Sequence, residues 1–168
     1  MSGRIFLLGD DIDTDQLAPG QYMKGGLDML AAHCLEAARP DFAGSVKPGD
    51  VIVAGKNFGM GSSREQAAEA LKHLGLAGVV AKSFAGIFYR NALNLGLPVL
   101  VADDISAVED GDAASLDPAA GELVLEARNR TVRLEPLPDN LKPMLADGGL
   151  VPHLKKRFAA ERAKEAGE

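Results

Sequence analysis

Over the first hundred residues, short apolar runs alternate with polar, glycine-rich breaks. Arg4–Leu8 is an apolar run closed by Gly9 and reads as a strand, as do Val51–Ala54, Gly78–Ala81 and Pro98–Val101. Between these runs the apolar residues recur at helical spacing. Leu27, Leu30, Ala31, Cys34, Leu35 and Ala38 form one such stripe, with Pro40 just past its end. Ala67, Ala70, Leu71 and Leu74 form another, predicting a helix from Ser62 or Ser63 that stops at Gly75. Phe84–Leu95, closed by Gly96, is the third. Strand and helix in alternation predict a parallel α/β unit.

After residue 102 the texture changes. Ala113–Leu116, Glu122–Glu126 and Thr131–Leu134 read as short strands joined by Pro118-Ala119-Ala120-Gly121 and Asn129, which suggests β-hairpins or a small barrel-like face. Val151–Glu165 reads as an amphipathic helix carrying Lys155, Lys156, Arg157, Arg162 and Lys164, whose basic face is expected to be solvated. No repeat or long linker interrupts the pattern. The expectation is one mixed α/β domain over residues 1–168.

Composition narrows the function classes. With 46% hydrophobic residues, a chain of 168 can build a core without disulfides or metals. Eighteen basic against twenty-four acidic residues give a net charge of −6, the wrong sign for a nucleic-acid partner. No apolar run approaches the ~18 residues of a membrane span, and Met1-Ser2-Gly3-Arg4-Ile5-Phe6 lacks a signal-peptide shape, so a soluble, cytoplasmic chain is expected. Cys34 is the single cysteine, which excludes an internal disulfide and a cysteine-ligated zinc or iron–sulfur site made by this chain alone. His33, His73 and His153 are scattered without metal spacing, and the end of its helix accounts for His73.

The densest chemistry lies in Gly55-Lys56-Asn57-Phe58-Gly59-Met60-Gly61-Ser62-Ser63-Arg64-Glu65. A buried strand enters a glycine-rich loop that opens a helix, an arrangement that offers free N–H groups to an anion. Neither nucleotide motif fits. A P-loop starting at Gly55 would need glycine where Met60 stands, and a dinucleotide fingerprint starting at Gly59 meets Arg64 in place of its third glycine. Ser62 with Glu65, and Ser63 with Gln66, both match a capping box, worth about 1 kcal/mol. Arg64 weighs toward the other reading. A cation in the first helical turn opposes the helix dipole unless Glu65 or Glu69 pairs with it, and guanidinium suits a bidentate carboxylate grip. A serine hydroxyl, Arg64 and backbone amides at one point suit a carboxylate-bearing substrate, with capping as the alternative. Upstream, the alternating acids of Asp11-Ile12-Asp13-Thr14-Asp15 lack the later glycine and glutamate of a calcium loop, leaving turn and capping roles. The segment Gln21-Tyr22-Met23-Lys24-Gly25-Gly26 reads as a flexible loop.

Asp13-Thr14-Asp15, Gly55-Lys56-Asn57-Phe58-Gly59, Gly61-Ser62-Ser63-Arg64-Glu65, Ser83-Phe84-Ala85, Ile87-Phe88-Tyr89-Arg90-Asn91, Gly96-Leu97-Pro98 and Gly148-Gly149-Leu150 occur in this order. Together they resemble the 3-isopropylmalate dehydratase small-subunit family, whose members correspond to the swivelling C-terminal domain of aconitase. The resemblance implies a swivelling β/β/α fold and a hydro-lyase acting on a hydroxy-diacid or triacid, here 2- and 3-isopropylmalate of leucine biosynthesis. It implies Ser62 as the base and Ser63 and Arg64 as the substrate-carboxylate contacts, with Asp15 and Gly61 supporting. It implies no cofactor on this chain and a 4Fe–4S cluster on a large-subunit partner, in a heterodimer or heterotetramer.

Three positions depart from the family pattern: Met60 stands where many relatives have cysteine, Gln66 where they often have histidine, and Gly86 where they often have arginine. In this family the loop after Tyr22 helps choose the substrate's side group, and here it offers Lys24. A cation there suits a further carboxylate, so homoaconitase- and dimethylmalate-dehydratase-type substrates are the alternatives within the class. A non-catalytic, anion-binding regulatory module is the alternative outside it.

Overall fold

A computed structural model describes residues 2–167. Strands β1 (Gly3–Leu7), β2 (Val51–Ala54), β3 (Gly78–Ala81) and β4 (Val99–Val101) pair in parallel, with Phe6 facing Ile52, Ile52 facing Val79 and Val80 facing Leu100. Every residue of β2 and β3 is buried, so their unbroken apolar runs need cover on both faces. The connections supply one cover. They contain α1 (Thr14–Leu17), α2 (Leu27–Ala32), α3 (Phe42–Ser45), α4 (Glu65–His73) and α5 (Gly86–Asn94). Right-handed crossovers between strands laid down in order 1-2-3-4 put α4 and α5 on the same face, where α2, α4 and α5 pack side by side.

The other cover is an antiparallel meander. Strands β5 (Ala113–Asp117), β6 (Glu122–Leu125) and β7 (Arg130–Arg133) continue the sheet beyond β1, giving the order β4-β3-β2-β1-β5-β6-β7. The sheet curls back on itself. Leu116 of β5 fills the space beside Gly78 of β3, where an added Cβ would lie 2.5 Å from Leu116 Cδ2. Just past β7, the Glu135 N–H donates to Val101 O of β4 at 2.8 Å. The layers are therefore β/β/α, and buried residues from Ile5 to Met144 join one core. The chain closes with α6 (Lys142–Ala146) and α7 (Leu150–Ala166).

Two local expectations change and one of two alternatives is settled. The stripe from Leu27 does not run as one helix to Ala38: α2 stops at Ala32, and Leu35 takes φ +61°, with its N–H on Gln16 O at 2.8 Å and its side chain fully buried. Burying Leu35 from a turn wins over continuing the helix. Of the two readings offered for the strands after residue 102, the hairpins hold, with β5, β6 and β7 pairing antiparallel in turn. Finally, α7 touches α5 and α6 but buries no residue, and Val151 and Phe158 are 60% and 51% exposed, so the expected apolar stripe is not covered as a whole.

What positions the site is a continuation of the ladder past the strand ends. Beyond β1 and β2, Gly55 N–H donates to Gly9 O (3.1 Å), Asp11 N–H to Lys56 O (2.8 Å), Gly59 N–H to Ile12 O (2.7 Å) and Thr14 N–H to Met60 O (2.8 Å). Phe6 faces Ile52 whereas Asp13 faces Met60, so this extension carries a one-residue slip. On the other side Phe58 N–H donates to Ser83 O and receives Ala85 N–H, each at 3.0 Å. Three loops at the carboxyl ends of parallel strands are thus stitched into one shelf.

Candidate active site

Segments 13–15 and 61–66 meet on this shelf. Asp13 caps α1: its carboxylate accepts from Gln16 N–H at 2.8 Å while the Gln16 side chain accepts from Asp13 N–H at 2.9 Å, a complete capping box. The other upstream acids also serve the turn, since Asp10 accepts from Lys56 N–H (2.7 Å) and Asp11 from Asn57 Nδ2 (3.1 Å). This capping sets the next two side chains. Thr14 turns inward, only 3% exposed, and Asp15 turns out toward Arg64.

Ser62 and Ser63 do not cap the following helix. The helix starts at Glu65 with Arg64 as its extended N-cap residue and no side-chain cap, so both capping-box readings fail. Ser63 and Ser62 lie one and two residues before the N-cap position, in a loop held by the ladder rather than by the helix. Among the described residues, the N–H groups of Ser63, Arg64, Glu65 and Gln66 have no hydrogen-bond partner. Free donors at the positive end of a helix are an arrangement that suits an anion. Ser62 and Ser63 are exposed beside it.

Arg64 finds its partner in neither Glu65 nor Glu69. Its Nη1 donates to Asp15 Oδ1 at 2.7 Å and to Ala18 O at 3.3 Å, with Gly20 N–H also on Asp15 Oδ1 at 3.3 Å. The Arg64 hydrogen bond, and then the Gly20 amide, hold the Asp15 carboxyl below the usual carboxylate range. Asp15 stays ionised at any pH near neutrality. It orients the guanidinium, and Nε and Nη2 have no hydrogen-bond partner among the described residues.

Gly61 is needed for its conformation. Its φ is +109°, and a Cβ there would sit 3.1 Å from Thr14 Oγ1. That hydroxyl accepts from Ser62 N–H at 3.1 Å and lies 3.1 Å from Ser62 Oγ. From α5, Asn91 Nδ2 reaches Ser63 O at 3.4 Å. Thr14 and Asn91 were not singled out from sequence; both sit inside the quoted motifs, but neither has a charge to draw notice.

Lys24 makes no hydrogen bond to the serines. It lies in a 3-10 turn, Gly20–Gly25, exposed and without an ion pair among the described residues. That turn is anchored where a free loop was expected, since the Tyr22 ring stacks on His33 at 3.6 Å between centroids and 7° between planes. His33 bonds Glu36 at 2.7 Å, and His73, last in α4, bonds Asp28 at 2.7 Å in addition to its place at the helix end. The departures Met60 and Gly86 are both exposed, Gly86 opening α5.

An iron–sulfur cluster does not fit this chain's own residues. Cys34 is fully buried, its thiol pushed up to about 12 by burial, and no group of three His, Cys, Asp or Glu suited to a metal occurs among the described residues.

Residues 37–104 match the aconitase C-terminal domain family. The chain is 50% identical to the methanogen homoaconitase small subunit of Methanothermobacter thermautotrophicus, over 92% of this chain and 90% of that one. It is 49% identical to 3-isopropylmalate dehydratase small subunit 2 of Archaeoglobus fulgidus, over 93% and 95%. A crystal structure of 3-isopropylmalate dehydratase from Methanocaldococcus jannaschii superposes with a TM-score of 0.91 at 45% identity, covering 97% of this chain and 98% of the other.

Proposed function

This chain belongs to the family of 3-isopropylmalate dehydratase and homoaconitase small subunits, and from that premise we propose how its residues divide the work of a hydro-lyase with a large-subunit partner. The observation that carries the reading is Arg64, oriented by Asp15 at 2.7 Å beside four unpartnered N–H groups and next to Ser62. Arg64, Ser63 and the free amides take a substrate carboxylate. Ser62 Oγ, as alkoxide, removes the proton from the carbon beside that carboxylate. The electrons of the C–H bond become the new double bond, and hydroxide leaves the neighbouring carbon. Rehydration runs the same path backward onto the other carbon.

A serine alkoxide is a strong base and needs a positive surrounding. The start of α4 and the Arg64 guanidinium supply it. Ser62 is exposed in the chain alone, and a low-dielectric wall from the partner would strengthen both effects. The departing hydroxyl needs a Lewis acid, and a 4Fe–4S cluster on the large subunit is its proposed source. A heterodimer or heterotetramer working in the cytoplasm fits this division of labour.

The preferred substrate pair is 2- and 3-isopropylmalate. One observation favours the homoaconitase-type alternative: Lys24, on the turn that follows α1, has no ion pair among the described residues and is a cation that could neutralise a third carboxylate. The test is an anaerobic assay of the chain mixed with its cluster-loaded large subunit, following alkene formation from isopropylmalate, dimethylmalate, citrate and homocitrate. Turnover of isopropylmalate, abolished by Ser62→Ala with assembly intact, is the expected result. Preference for a triacid would make Lys24 its contact. Binding of the partner with no turnover of any acid would leave a regulatory anion-binding module.

A further inference from the structure

In the Asp13-Thr14-Asp15 motif Asp13 caps α1 and Asp15 orients Arg64, which leaves Thr14 without a role so far. Thr14 and Asp50 are the two buried polar side chains among the described residues, and Asp50 is consumed by the Arg4 and Lys47 backbone amides. Thr14 is aimed at Ser62. A threonine hydroxyl has one proton and two lone pairs. Thr14 Oγ1 takes the Ser62 N–H into a lone pair at 3.1 Å, and its only other partner among the described residues is Ser62 Oγ, also at 3.1 Å.

Resting on the reading of Ser62 as base, we propose that Thr14 is the positioning residue of that base, fixing its loop through the amide and donating its proton to the Ser62 oxygen when that oxygen is charged. In the neutral pair either hydroxyl can donate. Once Ser62 has lost its proton it can only accept, and Thr14 becomes the donor. The hydrogen bond is then charge-assisted, stronger than the neutral one, and so favours the reactive form over the resting form. The surrounding fold keeps this contact short. The Asp13 capping box sets the start of α1, Thr14 N–H ties to Met60 O at 2.8 Å, and Gly61 leaves the hydroxyl its room.

Thr14→Val keeps the shape and β-branching but removes the hydroxyl, and Thr14→Ser restores it. In the reconstituted two-subunit enzyme, Thr14→Val should lower kcat about 10–100-fold, the weight of one hydrogen bond to a charged group. KM should stay within about two-fold, and the rising limb of the kcat–pH profile should move to higher pH. Thr14→Ser should recover most of the rate. Wild-type kcat and pH profile in Thr14→Val, or equal impairment in Thr14→Ser, would overturn the proposal.

A second measurement needs no turnover. In the full-length chain carrying Ser62→Cys, buried Cys34 is silent toward thiol reagents, so the pH dependence of alkylation reports the new thiol alone. Adding Thr14→Val should raise that thiol's pKa by about half to one pH unit; an unchanged value overturns the donor role. Failure of the base reading itself looks different. Ser62→Ala would then retain turnover, whatever Thr14 does.

Discussion

Among the described residues Arg64 is held through Nη1 alone, by Asp15 and the Ala18 carbonyl, which leaves Nε and Nη2 as a fork for a planar ligand. Lysine has no second edge: it can satisfy Asp15 or a substrate carboxylate but not both in fixed geometry. Arg64→Lys is therefore expected to raise KM for the hydroxy-acid at least about ten-fold in steady-state kinetics, with the chain's thermal midpoint unchanged. At this scale Ser62, Arg64 and Gly61 were legible because glycines, serines and a first-turn arginine form an unusual local string. Thr14 was not. Its meaning depends on a partner forty-eight positions away, and an uncharged hydroxyl in a turn has no pattern of its own.

The loop between β2 and α4 is shaped by where it must pass. Gly59 has φ +84°, and a Cβ there would run into the Phe88 ring, which packs edge-on against Phe58 at 5.3 Å. Gly59→Ala combines backbone strain with overpacking and should destabilise the chain by roughly 2–4 kcal/mol, read as a lower denaturation midpoint in urea. The loop's glycines and the boundaries of β2 could be read from sequence. The start of α4 could not, because Ser-x-x-Glu spacing satisfies a capping box whether or not the backbone turns helical at the serine. Lateral bonds from Ile12 and Ser83 tie the loop down at Gly59 and Phe58, and the backbone turns helical only after Arg64. Short elements such as α1 and α3 are too brief to show a helical period at all.

Across the molecule, the parallel half was evident from its apolar runs, whereas the curl was not. β5 meets β1 over Gly3 and Arg4 only, and two residue pairs leave no signature in a sequence. One long-range tie spans this region: Arg39 donates to both Asp110 oxygens at 2.6 and 2.9 Å, and Asp110 also accepts the Leu7 N–H of β1 at 2.9 Å. The Arg39 guanidinium holds the Asp110 carboxyl below its usual range. A depressed folded-state pKa contributes stability above the unfolded carboxylate value of about 3.9, and loses it as pH falls through the lower folded value. Asp110→Asn should therefore destabilise by roughly 1 kcal/mol near neutrality, allowing for solvent screening, with the gap to wild type closing below about pH 4 in acid titrations followed by circular dichroism.

The stitched shelf also bears on how the polypeptide reaches its native state. Thr14 meets Ser62 only through the ladder that prolongs β1 and β2, so no local stretch of chain can assemble the site. Nearly fifty residues must close into a loop before the first of those bonds forms, an entropic barrier that short-range helices do not face. Competence for chemistry arrives with the pairing of β1 and β2, after the helices can already exist. A molecule trapped with those two strands a residue out of register would carry every functional side chain and have no site.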